Sequence, residues 1–263
     1  LHTPSRPSPG AVDVTVLDVG QGLAVVVRTA TKTLLYDAGP LYSAESDAGQ
    51  RIVVPYLRAN GIRRIDTMIV THSDSDHAGG AASVLAAVPV DRLLSSVDGM
   101  PGEACAAGMS WDWEGVRFLM LHPVPGEAGF ARPLRPNNRS CVLRIEAAGG
   151  ASILLASDIE AADEMAILGR DAGVLASDVL LVPHHGSRTS SSPAFVAAVA
   201  AQHVIYPVGY RNRFGHPRPE VMARYAGATE WRTDRDGALH VDLADRPVIV
   251  AQRRMRPRYW HGR

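Results

Sequence analysis

The segment THSDSDHAGG, residues 71–80, places His72, Asp74, Asp76 and His77 within six positions. An apolar run precedes it and predicts a buried strand, and a small-residue segment follows it and predicts a helix. A continuous helix would place positions 72, 74 and 76 on different faces, and a continuous strand would turn His77 away from the others. Only a tight loop, closed by the two glycines, brings the four side chains together. Because imidazoles and carboxylates are common metal ligands, the segment predicts a metal site.

The composition predicts an ordered globular protein. The chain has 263 residues, of which 46% are hydrophobic, and its formal net charge is zero. This length fits one large domain or two small ones. Zero net charge means that a polyanionic partner would have to meet a local patch rather than the field of the whole molecule. The one evident patch is the C-terminal segment 251–263, which carries five arginines with Tyr259 and Trp260 among them.

The ends of the chain suggest a piece of a longer protein. Residues 1–11 form a proline- and serine-rich linker that begins with Leu1 rather than Met. No apolar run approaches the roughly 18 residues needed to cross a bilayer. We therefore expect a linker at 1–11, one domain at 12–250 and a basic tail at 251–263.

The order of predicted elements is typical of a layered α/β domain. Residues 12–37 favour β structure and predict an opening meander of three strands. Strands and helices then alternate with short links. Helices are predicted at residues 51–61, 81–88 and 160–169 and after Pro193. Hairpins are predicted at Gly149-Gly150 and at Asp236-Gly237.

Two cysteines, Cys105 and Cys141, lack the CxxC spacing of thiolate zinc sites. Two alternatives remain open for them. They form a disulfide if the domain lies outside the cytosol, or they are two buried free thiols.

One long loop is predicted at residues 123–140, after a strand that ends at His122. Loops of this length are commonly functional or mobile. A lone histidine at a strand end is more often structural than a ligand, and we favour the structural role for His122.

Further ligand-type side chains end other predicted strands. Asp158 ends one, and His184 and His185 end another. Since α/β proteins build sites at strand ends on one side of a sheet, we expect these residues to meet residues 72–77. Two divalent ions about 3.5–4 Å apart share ligands in such clusters, and Asp158 is the expected bridge. Asp37, at the end of the third strand, either caps a turn or orients a metal-binding histidine.

A phosphate site is predicted beside the two histidines. Ser192 followed by Pro193 is typical of a helix start, and helix N-termini bind anions. His216 lies in a loop before another predicted helix, where it is either a plain loop residue or a general acid for a leaving oxygen. The hydroxyl side chains expected at the phosphate site include Ser187, Thr189 and Ser190.

These motifs carry a resemblance. The pattern HxDxDH with two glycines, the later strand-end aspartate and PHHGS are similar to the metallo-β-lactamase superfamily, whose usual first motif is HxHxDH. Within it, the chain resembles the C-terminal domains of the ComEC family of competence DNA-uptake channels, nearly throughout its length from Asp13. The resemblance implies an α/β fold of the αββα sandwich type, with two mixed β-sheets flanked by helices and the site at the edge between the sheets. The motifs that carry it are DVGQG (18–22), THSDSDHAGG (71–80), NNRS (137–140), ASD (156–158), PHHGSRTSSS (183–192) and NRFGHP (212–217).

Residue roles follow from the resemblance position by position. His72 and Asp74 would bind a first divalent metal ion, Asp76 and His77 a second, and Asp158 both. His185 is favoured over His184 as a further ligand. The residues implied in catalysis are Asp76, Asp158 and His216. The residues implied in binding substrate or phosphate are Ser187, Thr189, Ser190, Asn138 and Arg213.

Two departures from the family pattern affect the metal. Asp74 replaces the second histidine of HxHxDH, and at Asn137 and Asn138 an asparagine stands where a histidine ligand is usual. Both changes replace imidazole with oxygen, which favours Mn²⁺, with Zn²⁺ or Mg²⁺ as alternatives. They also predict that one of the two ions is held more weakly.

We therefore expect a metal-dependent DNA phosphodiesterase, a nuclease that degrades the non-transforming strand by two-metal hydrolysis. The alternatives are a non-hydrolytic module that binds and guides DNA in the same channel, and a metallohydrolase of small esters. The resemblance also implies partners, namely DNA, the transmembrane channel region of the same full-length protein and other competence uptake proteins. It implies a cell membrane protein with this domain on the extracytoplasmic side, and we expect the isolated domain to be monomeric.

Overall fold

Two large β-sheets form the centre of the computed structural model, which describes residues 5–124 and 135–255. A small ribbon of two strands lies beside them. In chain order the strands are β1 (Val12–Val16), β2 (Val25–Arg28), β3 (Thr33–Tyr36), β4 (Leu41–Ser43), β5 (Ser46–Asp47), β6 (Ile65–Val70), β7 (Val90–Ser95), β8 (Glu103–Ala104), β9 (Ser110–Trp113), β10 (Val116–His122), β11 (Val142–Glu146), β12 (Ser152–Leu155), β13 (Val179–Leu181), β14 (His203–Tyr206), β15 (Thr229–Arg232), β16 (Leu239–Leu243) and β17 (Pro247–Ala251).

Both sheets are mixed, as the resemblance implied. The first has the order β17-β16-β1-β2-β3-β6-β7-β8 and the second the order β15-β14-β13-β12-β11-β10-β9. The opening meander is confirmed, because β1, β2 and β3 pair antiparallel. In the first sheet β3 and β6 run parallel, and in the second β12 and β13 run parallel.

Helices cover the outer faces of the two sheets. A π-helical turn, Gly49–Val53, leads into the first helix. In chain order the helices are α1 (Val54–Ala59), α2 (Ser75–Ala78), α3 (Ala81–Ala87), α4 (Ala161–Asp171), α5 (Pro193–Val199), α6 (Pro219–Met222), α7 (Thr233–Asp236) and α8 (Gln252–Met255). Within the described residues, no helix combines the length and apolar character needed to span a bilayer.

Three buried clusters pack four layers, in the order helices, sheet, sheet and helices, against one another. The central cluster joins the inner faces of the sheets, for example Tyr36 with Phe118. A second cluster packs the outer face of the first sheet against α1 and α3, and a third packs the outer face of the second sheet against α4, α5 and α6. Because β3 is buried on both faces, its residues Leu34, Leu35 and Tyr36 form a continuous apolar run rather than an alternating pattern. The αββα sandwich is thus confirmed.

One predicted connection is wrong. The hairpin at Gly149-Gly150 is confirmed by the antiparallel pair β11 and β12, but Asp236-Gly237 does not form one. The Thr233 hydroxyl lies 2.8 Å from both the backbone nitrogen and the oxygen of Val208. The buried Asp236 carboxylate accepts the Arg232 backbone N–H at 3.0 Å, which closes the short helix α7. The chain therefore leaves the second sheet at β15 and enters the first at β16.

Cys105 and Cys141 form a disulfide, which decides between the two alternatives. Cys105 follows β8 of the first sheet, and Cys141 precedes β11 of the second. Cys141 also donates its backbone N–H to Thr71 O at 3.2 Å. The bond therefore links the two sheets directly beside the predicted metal loop.

The predicted basic tail begins inside the folded domain. Arg253 forms an ion pair with Asp18 at 2.7 Å. Arg254 pairs with Asp236 at 3.1 Å, and its guanidinium carbon lies 4.9 Å from the centroid of the Trp231 ring. These two arginines therefore hold α8 against the domain. Residues 256–263, the loop residues 125–134 and residues 1–4 lie outside the described residues, and the predictions for them stay predictions.

Candidate metal centre

Strand ends from both sheets meet at one edge of the sandwich. In the first sheet, Asp37 follows β3, and residues 71–80, the ligand loop, follow β6. In the second sheet, Asp158 follows β12 and His185 follows β13. Since these strands are parallel within each sheet, their carboxyl ends lie together. The structure thus brings the separate motifs to one place.

Close backbone packing explains the two glycines of the ligand loop. A Cβ atom on Gly79 would lie 2.2 Å from the backbone nitrogen of Leu41, and one on Gly80 would lie 2.2 Å from Ala38 O. Gly80 donates its N–H to Gly39 O at 3.0 Å. The loop therefore lies directly against the segment after β3, which also carries Asp37.

His72 presents an unpaired ring nitrogen to two carboxylates. Its Nε2 lies 3.7 Å from Asp74 Oδ2 and 4.0 Å from Asp158 Oδ2. The residue is fully buried, and Nε2 has no hydrogen-bond partner among the described residues. A buried nitrogen without a partner is costly. A cation between His72 and the two carboxylates would satisfy it.

A second group surrounds the other oxygen of Asp158. His77 Nε2 lies 3.1 Å from Asp158 Oδ1, and His185 Nε2 lies 3.5 Å from the same atom. His185 Nε2 is also 3.4 Å from Asp76 Oδ2. The two oxygens of Asp158 thus face different sets of side chains, which is the geometry that a carboxylate shared by two ions requires.

Hydrogen bonds orient both buried imidazoles of this second group. His77 Nδ1 lies 2.8 Å from Asp37 Oδ2, and His185 Nδ1 lies 2.7 Å from Pro207 O. Because a carboxylate and a carbonyl oxygen accept hydrogen bonds, both Nδ1 atoms donate, and in the neutral form of each ring Nε2 is the atom that carries the lone pair. The two Nε2 atoms are 3.2 Å apart. A cation held between them and Asp158 would take the place of their Nε2 protons.

The electrostatics of the cluster favour the ionised forms of Asp76 and Asp158, whereas burial and these two carboxylates raise the pKa of Asp74. Burial and the neighbouring His77 imidazole lower the pKa of His72 to about 4. Burial opposes ionisation of Asp76, but the hydrogen bond from His185 and the nearby imidazoles lower the pKa of Asp76 to about 2. Burial opposes ionisation of Asp158 as well, yet the imidazoles around it hold its pKa well below the ordinary value. Asp76 and Asp158 therefore supply negative charge for a metal cation.

Backbone strain is concentrated at the same strand ends. Asp37, Ser157, His184 and His185 all have positive φ, between 49° and 59°. This region is uncommon for residues other than glycine, and such residues tend to cluster at functional sites. Two consecutive left-handed residues at His184 and His185 turn the neighbouring imidazoles in different directions.

The two histidines that follow β13 lie at different depths in the cluster. His185 is buried within the cluster. His184 lies at its rim, with Nε2 3.8 Å from Asp158 Oδ2 and a side chain that is 21% exposed. Its Nδ1 is 3.1 Å from the Thr189 hydroxyl, which is in turn 3.1 Å from the Ser187 hydroxyl. Ser187 and Thr189 therefore orient His184.

The start of α5, where a phosphate site was expected, is bonded to a carboxylate of the chain itself. The buried carboxylate of Glu164 accepts the backbone N–H groups of Ser191 and Ser192, at 2.5 and 2.7 Å. The Ser190 hydroxyl is buried and donates to Pro183 O at 2.8 Å. The N–H groups at the start of α5 and the Ser190 hydroxyl are thus occupied by the chain itself.

Of the other predicted side chains, His216 and Arg213 lie near the cluster, and Asn138 is bonded elsewhere. The His216 ring lies 5.9 Å from that of His184, and Arg213 lines a cleft together with Asp74. Burial and the imidazoles of the cluster lower the pKa of His216 to about 4, so it is neutral at neutral pH. Asn138 instead donates to Asp163 at 2.8 Å and is thereby tied to α4.

Some residues that orient the site were not predicted. The Thr71 hydroxyl lies 3.0 Å from His72 Nδ1, 2.9 Å from Asp37 Oδ2 and 2.7 Å from the Ser157 hydroxyl. The Ser140 hydroxyl is 3.4 Å from His72 Nδ1. Thr71, Ser157 and Ser140 belong to the quoted motifs THSDSDH, ASD and NNRS, respectively. Their place within these motifs was the available signal.

Comparison with known proteins finds relatives that are named for competence and for recombination. It is 38% identical over 253 residues to competence protein ComA of Neisseria gonorrhoeae, an alignment that covers 94% of this chain and 34% of the relative. It is 36% identical over 259 residues to recombination protein 2 of Haemophilus influenzae, which covers 95% of this chain and 31% of the relative. The chain thus spans about one third of the length of these curated relatives.

Solved structures share the fold at low identity. The metallo-beta-lactamase fold protein YhfI from Bacillus subtilis has a TM-score of 0.55 at 12% identity, over 89% of this chain and 99% of that chain. CmlA, a diiron beta-hydroxylase from Streptomyces venezuelae, has a TM-score of 0.54 at 17% identity, over 93% of this chain and 55% of that chain. The family model described as the metallo-beta-lactamase superfamily matches residues 17–209. The chain therefore belongs to the metallo-β-lactamase superfamily.

Proposed function

We propose that this domain is a metal-dependent phosphodiesterase that hydrolyses DNA. The observation that carries the proposal is the convergence of imidazole and carboxylate groups around the buried Asp158, with His72 Nε2 left unpaired. Superfamily membership supports a metal-dependent hydrolase.

The proposed ligands fall into two sets that share Asp158. His72 and Asp74 would hold one divalent ion, and Asp76, His77 and His185 the other. Bound ions of this kind polarise a phosphate oxygen and activate water. The oxygen donor at Asp74 favours Mn²⁺ over Zn²⁺, because carboxylate oxygen suits the harder cation.

The chain's own residues would bind and orient the phosphodiester. His184, at the rim, and the neutral His216, whose ring lies 5.9 Å from that of His184, would donate hydrogen bonds from a ring N–H to a phosphate or a leaving oxygen. Arg213 would pair with a neighbouring phosphate. Asp37 and Thr71 hold the metal-binding imidazoles in place.

DNA is the proposed substrate because of the names that the relatives carry and the motifs that the chain shares with DNA-uptake channels. Two of them carry names from competence and recombination, and the motifs resemble the C-terminal domain of ComEC-type uptake channels. In that setting the domain would lie on the extracytoplasmic side of the membrane, beside the channel region of the same protein and other competence proteins. There it would degrade the strand that does not enter the cell. A disulfide is compatible with such a compartment.

Cleavage by the purified chain tests the proposal. Labelled oligodeoxynucleotides are incubated with Mn²⁺, Mg²⁺ or Zn²⁺, and products are separated by size. We expect Mn²⁺-stimulated cleavage that is lost in Asp74→Ala and Asp158→Ala and retained in Asp91→Asn, which alters a surface carboxylate paired with Arg64. Absence of cleavage with every ion, in a folded and metal-loaded sample, would contradict it.

A non-hydrolytic DNA-binding module is the second candidate. The observation that favours it is the replacement of imidazole by oxygen at Asp74 and in the NNRS motif, where Asn138 is occupied by Asp163. This candidate predicts salt-dependent DNA binding that persists after chelation of metal. Cleavage that is abolished by Asp158→Ala would exclude it.

A further inference from the structure

A cleft of about 550 Å³ opens beside the metal centre. Asp74 and Asp76 line one side, and the segment Asn212, Arg213 and Phe214 lines the other. This volume is in the range of small-ligand sites, roughly 300–1,000 Å³. A group bound in the cleft would therefore lie next to the proposed metal ligands Asp74 and Asp76. The remaining lining residues are Gln21, Pro40, Leu41 and Ser75.

An exposed aromatic ring stands in this cleft. Phe214 is 43% exposed, although burial would stabilise a phenylalanine. One face lies against His216, with ring centroids 5.8 Å apart and planes 11° from parallel. The His216 ring is in turn 5.9 Å from His184. A line of rings thus leads from the rim of the metal cluster to Phe214.

Arginines without acidic partners accompany the aromatic rings. The Arg213 guanidinium lies over the Phe214 ring at 4.9 Å, and the Arg211 guanidinium lies over Tyr210 at 5.2 Å. Throughout the described ranges, neither arginine has a carboxylate within 4 Å, whereas Arg28 and Arg253, for example, do. Both guanidinium groups are therefore available to phosphates.

The loop that carries these side chains is held in place. The Asn212 side chain donates to Gly209 O at 3.2 Å and to His216 O at 2.7 Å, and it accepts the His216 N–H at 3.0 Å. Gln21 accepts the Gly209 N–H at 3.2 Å, and its own Nε2 has no hydrogen-bond partner in the part of the chain that the structure describes. The loop is thus preorganised beside the cleft.

We propose that this cleft binds one unpaired nucleotide next to the scissile phosphate, with its base stacked on Phe214 and a phosphate paired with Arg213. The inference rests on the proposed function and names its substrate class, a single strand or an unpaired strand end. Aromatic rings with arginines are typical of sites for single-stranded nucleic acid, and stacking accepts any base. A base within a duplex has both faces covered by its neighbours and cannot stack on Phe214.

Binding of a hydrolysis-resistant strand tests the inference. Fluorescence anisotropy is measured with a short phosphorothioate oligothymidylate and with a blunt hairpin duplex of the same linkage, in the presence of Mn²⁺. We expect the wild type to bind the single strand more tightly than the duplex. Phe214→Ala should weaken single-strand binding by about 5- to 150-fold, as expected for loss of one base stack, and Phe214→Trp should retain it.

Controls separate this inference from the proposed function. Met165→Ala removes a comparably exposed apolar side chain on α4, outside the cleft, and should leave binding unchanged. Equal affinity of the wild type and Phe214→Ala for the single strand, or equal affinity of the wild type for strand and duplex, would overturn the cleft assignment even if DNA is cleaved. Failure of the wild type to bind or cleave any DNA would instead overturn the proposed function.

Discussion

The Nδ1 atom of His77 lies 2.8 Å from Oδ2 of Asp37, and both side chains are fully buried. Asp37 also accepts the backbone N–H of Thr71 at 2.8 Å and the Thr71 hydroxyl at 2.9 Å. One carboxylate therefore orients His77 and fixes the first residue of the ligand loop. Carboxylates in this position set the tautomer and raise the basicity of a ligating histidine.

Replacing Asp37 should weaken metal binding without removing a ligand. Asp37→Asn preserves the shape but loses the negative charge opposite His77, and we expect roughly 10- to 100-fold lower affinity for one ion. Calorimetric titration with Mn²⁺ measures this effect. Asp91→Asn is the matched control, because Asp91 pairs with Arg64 at the surface. Unchanged affinity in Asp37→Asn would show that the Asp37–His77 contact does not serve the metal.

Metal binding should stabilise the fold, because the proposed ligands lie at strand ends of both sheets. At a free Mn²⁺ concentration of about 100 times its dissociation constant, binding adds about 2.7 kcal/mol to the free energy of unfolding. For a chain of this size that corresponds to a rise in Tm of roughly 5–10 °C. Differential scanning calorimetry with Mn²⁺ and after chelation measures the shift. The shift should be reduced in His72→Ala, and a full shift there would exclude His72 as a ligand.

Loss of the disulfide should destabilise the domain. Cys105 and Cys141 are 36 residues apart, and closing a loop of this length in the unfolded chain corresponds to about 3–4 kcal/mol. We expect the double variant Cys105→Ser, Cys141→Ser to unfold at lower denaturant concentration by that free energy. The wild type in reductant should match the variant. Coincident unfolding curves for the oxidised wild type and the variant would contradict the prediction.

Glu164 should make stability depend on pH. Burial raises its pKa above the ordinary value of 4.5, although it accepts hydrogen bonds from Ser192 and Ser191. A carboxyl with a raised pKa binds more protons in the folded state, so its contribution to stability falls as pH rises from 4.5 through the folded pKa. The wild type should therefore gain stability relative to Glu164→Gln as pH is lowered toward 4.5. Denaturant unfolding of both proteins across this range measures the difference, and parallel stability curves would contradict the raised pKa.

Local sequence patterns were sufficient to predict most of the fold. The meander, the helices at 81–87 and 161–171 and the hairpin at Gly149-Gly150 follow from side-chain periodicity and turn chemistry, which act over a few residues. The Asp236-Gly237 turn was predicted wrongly, because Thr233 bonds to Val208 from a different strand and redirects the chain. A partner so distant in sequence leaves no local signal.

The sequence by itself determined which residue types carry the chemistry: two histidines and two aspartates in one loop, with Asp158 and the two histidines at later strand ends. Their side-chain chemistry and position after apolar runs are local properties. Only the tertiary structure decided that Asp158 faces two groups, that Glu164 fills the expected phosphate site, and that Phe214 and Arg213 stand beside Asp74. These relationships join segments far apart in the chain, and they exist only once the two sheets have packed together.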